Sequence, residues 1–299
     1  MRVANVIVAH KNPDQLHALV SQFPPELYEH WIHLDQRANL GDYKQVLSLP
    51  NVRLAARRRK VAWAGVSFIV VTMDMFREVA SSGEKFMYVN LMSGLDFPIK
   101  PTDEFYQFLK ESKTAKKNQF FHITDVHGEW PAAFRYEKIH FNEWTKMRGR
   151  YFTERLVNVF VPRRQYYYGK MVPYGRSAWF TATWEFVEYA IKFFDENPDY
   201  LRFLRTVWCP DELVFSSLVM HSPFRDAVAP GNLRMIDWSE GKANPKVFRI
   251  GDFERLIKSD CYLARKFDAE IDAEIIARLK EFISKRKNVT FTASPVIFP

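Results

Sequence analysis

The chain opens as an alternation of short apolar runs and helical stripes. Val6-Ile7-Val8-Ala9 reads as a buried strand, and Pro13 to Phe23 as a helix with Leu16, Leu19, Val20 and Phe23 on one face. His30-Trp31-Ile32-His33-Leu34-Asp35 predicts a second strand with a polar tip, Val52-Arg53-Leu54-Ala55 a third, and Lys85 to Leu91 a fourth. A helix over Val66 to Val79 repeats Phe68, Val71, Met75 and Val79 at helical spacing. This alternation predicts an α/β fold, a mostly parallel sheet with helices on both faces. Ligands of such sheets bind beyond the carboxyl ends of the strands, which singles out Ala9-His10, Asp35-Gln36-Arg37 and Ser93 to Asp96.

The period is then lost. From His122 to Tyr174 the chain is irregular, basic and aromatic, and it includes Arg163-Arg164-Gln165-Tyr166-Tyr167-Tyr168. Order returns with a strand over Ser177 to Phe180 and helices over Glu185 to Phe194, Asp211 to Met220 and Ile271 to Lys287. No repeat or flexible linker intervenes, so residues 1–299 read as a single domain of two intimate halves that meet near residue 120.

Composition narrows the class. Hydrophobic residues at 47% exclude a disordered chain, and aromatics at 16% suffice for a core and for rings lining a cleft. Cys209 and Cys261 frame neither a disulfide scaffold nor a multi-cysteine zinc site, and read as buried thiols of a reducing compartment. The apolar opening is too brief for a signal peptide. The longest apolar stretch, Val61 to Phe76, is broken by Ser67, Thr72 and Asp74 short of the roughly 20 residues of a membrane span. A soluble, cytoplasmic protein is expected.

Several segments invite chemistry, and each has a plainer reading. Asn90 to Pro101 reads as a strand leaving into a loop at Gly94. Pro210-Asp211-Glu212 suits a helix start, where acids meet free N–H groups, but a carboxylate held among apolar groups also serves as a general base. Arg265-Lys266 is a solvated charge pair or an anion clamp. His10 and His33 sit at strand ends, where a satisfied histidine is as ordinary as a ligand. Asp268/Glu270 and Asp272/Glu274 read as a solvated face, since residues two apart on a helix diverge. There is no Asp-x-Asp and no histidine pair with a helical metal-ligand spacing. Arg57-Arg58-Arg59-Lys60 reads as an exposed basic loop, because no nucleic-acid-binding motif accompanies it.

In order, these segments resemble one family. The chain is similar to the core-2/I-branching β-1,6-N-acetylglucosaminyltransferases and their peptide O-xylosyltransferase relatives, glycosyltransferase family 14. The resemblance runs from Ile7-Val8-Ala9-His10-Lys11 and His33-Leu34-Asp35 through Trp63-Ala64-Gly65-Val66-Ser67 and Asn90 to Lys100. It continues through Gly175 to Phe180, Pro210-Asp211-Glu212, Arg234 to Trp238 and Ala264-Arg265-Lys266-Phe267-Asp268. It implies a GT-A-like fold, with a nucleotide-binding half to about residue 120 and an acceptor and catalytic half from about 121. It also implies a metal-independent, inverting transfer from a UDP-sugar, first UDP-GlcNAc and alternatively UDP-xylose, with no cofactor. A relative that binds a glycan or anionic polymer without turnover is the competing reading.

Carried over by position, Glu212 is the implied catalytic base and Lys266 the diphosphate-binding cation, with Arg265, Lys246 or Arg249 as its companion. Ile7, Val8, Ala9, Asp35, Arg37 and Trp63 match positions around uridine and ribose. Trp238, Glu129 and Arg135 match the acceptor side. Animal members carry a membrane anchor and several disulfides, so this chain looks like a compact bacterial-type version acting in the cytosol. A surface-polysaccharide precursor or lipid-linked glycan is the expected acceptor. No nucleic-acid partner is expected, and the net charge of +8 suits peripheral contact with an anionic membrane face.

Overall fold

The computed structural model describes residues 1–144 and 148–287. The predicted strands appear as β1 (Arg2–Ala9), β2 (Tyr28–Leu34), β3 (Val52–Leu54) and β4 (Phe86–Ser93). Among the described residues eight short ones follow: β5 (Asp96–Pro98), β6 (Gln119–Phe121), β7 (Ile123–Asp125), β8 (Tyr174–Arg176), β9 (Phe180–Thr183), β10 (Val228–Pro230), β11 (Arg234–Ile236) and β12 (Leu263–Arg265). Seven of them build a central sheet in the order β10-β6-β9-β4-β1-β2-β3, parallel throughout except for β9.

From β1 the chain lays β2 and β3 to one side, and the helix Ser67–Ser81 then returns it to β4 on the other side of β1. That reversal opens a crevice at the carboxyl ends of β1 and β4. Strand alternation divides the core in two. Val3, Ile7 and Ala9 pack with Leu16 and Leu19 of the helix Pro13–Val20, whereas Ala4 and Val6 pack with Val71, Met75 and Phe76 of Ser67–Ser81. The predicted α/β class, with helices on both faces, is the observed one.

A small sheet, β11-β12-β5, hangs from the end of β4. The connection is tight. A Cβ on Gly94 would lie 2.8 Å from the Cβ of Ala9, so only glycine lets the chain cross β1 here. Buried Arg234 joins the two sheets. It donates to the carbonyls of Leu91 (2.9 Å), Asn232 (2.7 Å) and Phe180 (3.2 Å) and to the Asn90 side chain, which in turn donates to Asn5 at 2.9 Å. Asn90 is therefore a bracket between sheets as well as a strand residue.

Some boundaries moved. Ser177 to Trp179 is a loop and the strand begins at Phe180, because Asn232 holds Ser177 Oγ (3.2 Å) and the Trp179 carbonyl (3.0 Å) away from the ladder. The last helix starts at Glu274, where Asp272 accepts from the Ile275 N–H at 3.1 Å. Asp268 instead accepts from Lys11 (2.6 Å) and Asn12 (2.8 Å), so neither acid lies on a solvated helix face. The basic run is only partly solvated: Arg58 donates to the carbonyls of Leu34 and Asp35, and Arg59 pairs with Asp74. The segment read as irregular contains a helix, Arg150–Phe160.

Candidate active site

The carboxyl ends of β1 and β4, the tips of the small sheet and the first turn of the helix Asp211–Met220 surround a cavity of about 720 Å³. Glu212 enters from that turn. Just before it, Cys209 is left-handed (φ 46°) and donates its N–H at 3.0 Å to the carbonyl of Ala64, which is also left-handed (φ 61°). Two strained turns thus hold each other at the cavity wall.

Glu212 Oε2 accepts from Arg135 Nη1 at 2.6 Å, which leaves Oε1 with no hydrogen bond among the described residues. The Arg135 guanidinium lies between the rings of Trp130 (4.4 Å) and Trp208 (4.7 Å). A cation layered between indoles is held in place without consuming its N–H groups. Burial raises the pKa of Glu212 from its ordinary value, opposed by the charges of Arg135 and Arg176. Its neighbour Asp211 also lines the cavity, and its Oδ1 is buried with no hydrogen-bond partner among the described residues. Burial first, and the Glu212 charge second, push that carboxyl up as well. Behind them a Cβ on Gly175 would lie 2.5 Å from the Glu212 carbonyl, so β8 packs directly on the helix turn.

Among the described residues five cations line the cavity besides Arg135: Arg37, Arg176, Lys242, Arg265 and Lys266, of which Lys242 is exposed. Arg265 donates to Asp96 at 2.9 Å and lies 4.5 Å from the Trp179 ring. Lys266 and Arg176 make no side-chain ion pair or hydrogen bond among the described residues. Burial and the Arg265 charge lower the Lys266 pKa. The lysine is firmly placed, since Phe267 donates its N–H to the Leu95 carbonyl (2.9 Å) and accepts from Gln15 at 3.2 Å. The other two companion candidates are elsewhere. Lys246 pairs with Asp252 at 2.7 Å, and exposed Arg249 donates its backbone N–H to the same carboxylate at 3.0 Å; neither lines the cavity.

At the strand tips Val8, Ala9, Asp35, Arg37 and Trp63 line the cavity, but the Ile7 side chain is packed in the core and does not. Asp35 differs from expectation too. Its two oxygens accept from Arg37 N (2.9 Å), Nε (2.8 Å) and Nη2 (2.8 Å) and from Val61 N (2.9 Å), which fills its acceptor sites. Burial would raise its pKa, yet those donors hold it well below the usual range. Asp35 therefore braces the wall, and Arg37 is the group presented. His10 lines the cavity, while His33 is buried, accepts from the Arg59 N–H at 2.9 Å and is lowered to about 4 by desolvation.

On the far wall Trp238 lines the cavity, but Glu129 is exposed and outside it; its neighbour Trp130 is the lining residue. Arg135 reaches the cavity as the partner of Glu212. Trp130, Trp208, Trp179, Arg176 and Asp211 were not singled out as site residues, although the last three lie inside the segments that carried the resemblance. Their signal was position next to a named residue. Among the described residues no helix is long and apolar enough to cross a membrane.

Comparison with known proteins agrees over most of the chain. Xylosyltransferase 2 of Rattus norvegicus is 26% identical over 92% of this chain and 33% of its own length, and that of Canis lupus familiaris 27% over 92% and 33%. Xylosyltransferase 1 of Homo sapiens is 25% identical over 95% and 30%. The chain thus spans about a third of the length of the curated relatives it matches. Among solved structures, S. aureus TarS 1–349 in complex with UDP-GlcNAc overlaps 43% of this chain and 36% of its own at a TM-score of 0.30 and 15% identity. The model of the Core-2/I-Branching enzyme family matches residues 3–257, and the chain belongs to that family.

Proposed function

We propose that the chain is an inverting glycosyltransferase that moves a sugar from a UDP-sugar to a glycan hydroxyl. One observation carries the reading: Glu212, a carboxylate with a raised pKa and one oxygen unbonded among the described residues, shares a cavity with Lys266 and Arg176, which find no ion pair among those residues. In the proposed step the acceptor O–H gives its proton to Glu212 Oε1 as its oxygen bonds to the anomeric carbon. The bond from that carbon to the diphosphate breaks on the opposite face, and its electron pair leaves with UDP. Negative charge then grows where Lys266 and Arg265 lie, and fixed cations in a partly desolvated site stabilise it without reorganising. In this reading those side chains do the work that a divalent ion does for other diphosphates, and Val8, Ala9, Arg37 and Trp63 hold the nucleoside.

UDP-GlcNAc is the first donor assigned. The xylosyltransferases among the relatives favour UDP-xylose as the second. The acceptor assigned is a glycan or lipid-linked glycan, with Trp238 stacking on a sugar face. Calorimetry with UDP, UDP-GlcNAc and UDP-xylose, with and without EDTA, tests the proposal. Binding that survives EDTA and weakens at least tenfold in Lys266→Ala is expected, a cation–phosphate contact being worth roughly 1.5–3 kcal/mol. Absence of UDP binding under every condition would overturn it in favour of a non-catalytic glycan-binding protein.

A further inference from the structure

The helix Arg150–Phe160 is inside out. Along it exposure runs in pairs: Tyr151, Phe152, Arg155, Leu156, Val159 and Phe160 face solvent, while Thr153, Glu154, Val157 and Asn158 face the protein. The outward apolar side chains are 71%, 73%, 50%, 71% and 78% exposed for Tyr151, Phe152, Leu156, Val159 and Phe160, and the helix contains no buried residue. Inward it is tied by polar side chains. Glu154 accepts from the Phe141 N–H (3.0 Å) and meets His140 (3.1 Å), and Asn158 bonds Ile139 at both its N–H and its carbonyl (2.8 Å each). A contiguous apolar stripe of this kind on a solvent face marks an interaction surface.

The charges around the stripe say what covers it. Arg148, Arg155 and Arg163 are exposed and form no ion pair among the described residues, and the one acid of the helix, Glu154, is turned inward. Arg155 lies within the apolar stripe itself. A second copy meeting this patch through a two-fold axis would bring arginine against arginine, which disfavours self-association. A planar surface with apolar depth and anionic headgroups satisfies both features at once. The location is also apt. Asn142 donates to the Ala64 carbonyl (2.9 Å) and Glu143 accepts from the Ser67 N–H (2.8 Å), so the segment that supports the helix also holds the loop carrying exposed Trp63 at the cavity wall.

We infer that the helix Arg150–Phe160 is an interfacial anchor that seats the chain on an anionic lipid bilayer, with Phe152, Leu156, Val159 and Phe160 in the acyl boundary and Arg148, Arg155 and Arg163 on the headgroups. The anchor brings the cavity wall to the bilayer, where a lipid-linked acceptor is presented. It stands apart from the donor reading, since UDP binding is measured without vesicles.

The test is cosedimentation of the full chain with vesicles of phosphatidylcholine alone or with about 30% phosphatidylglycerol, at low and high salt. Binding is expected only with the anionic vesicles, weakening as salt is raised. Phe152→Ser with Phe160→Ser should lower the partition coefficient at least tenfold. Arg155→Gln with Arg163→Gln should lower it roughly 25-fold at low salt, at about fivefold per arginine near the surface. These side chains are exposed, so circular dichroism and UDP binding of the variants should match the parent. Three results would overturn the proposal: no binding to anionic vesicles, undiminished binding by the phenylalanine variant, or a dimer in light scattering that this variant abolishes. The last would assign the stripe to a second copy.

Discussion

The helices Asp211–Met220 and Arg150–Phe160 are similar in length and both rich in apolar residues, yet the protein treats them oppositely. In the first, seven consecutive residues from Leu213 to Val219 are buried, and only the opening turn reaches the cavity. In the second none is buried and the apolar stripe faces outward. The contrast separates two meanings of hydrophobic pattern. All-round burial makes a rigid post, whose first turn can present a carboxylate reproducibly. A one-sided stripe only says that something covers it, and whether that is the protein's own core depends on the neighbours. Here the neighbours of the second helix, His140, Phe141 and Ile139, offer it polar contacts.

The largest effect should come from the tip of the buried post. Glu212→Gln keeps the volume and removes the proposed base, so the proposed transfer should fall by roughly 10²–10⁴ with UDP affinity retained. Initial rates at saturating donor check this, and a variant with parental turnover would remove Glu212 from the chemistry. Next comes the post itself. Leu213 is fully buried, and Leu213→Ala should cost about 2–5 kcal/mol in urea denaturation.

How much of this was legible follows the same division. The strands β1, β2 and β4 and the helix Asp211–Met220 announced themselves because their apolar runs are buried, so hydrophobicity and burial coincide. The cavity tips followed from the alternation of strands and helices, and Glu212, Lys266 and Arg265 from segments that resemble the family. Partnership was not legible. No pattern along the chain says that Asp35 is saturated by Arg37 and Val61, that Lys246 is taken by Asp252, or that Arg135 lies between two indoles beside Glu212. These contacts link residues far apart in sequence or hang on the rotamer of one side chain. The helix Arg150–Phe160 was missed for a third reason: its arginines and its outward stripe break the expectation that apolar means inside.

A middle-sized effect concerns protons at the first turn. Arg135 stabilises the charged form of Glu212, so Arg135→Gln should raise the pKa of that carboxyl and move the acid limb of kcat/KM to higher pH. Activity should recover partly as pH rises; a uniform loss at every pH would mean that Arg135 only supports the fold. Asp211 is checked by stability instead. Its folded pKa is raised to about 7, so the folded state keeps a proton that the unfolded chain loses near pH 4. That contribution is fully present below about pH 4 and is lost as pH climbs to about 7. Asp211→Asn should flatten this part of the stability profile, and an unchanged slope would show that the carboxyl is not held neutral.

The smallest expected effect is the sharpest test of the comparison. Phe152 is as large as any side chain of the buried post, and its loss from a core would cost about 3–5 kcal/mol. It is 73% exposed, however, so Phe152→Ser exchanges apolar surface already in water for a hydroxyl that water solvates. The unfolded chain makes nearly the same exchange, and the two sides of the equilibrium move together. Denaturation should therefore shift by less than about 0.5 kcal/mol. A loss of several kcal/mol would mean that the ring is covered by the protein itself, and the two helices would then differ in degree rather than in kind.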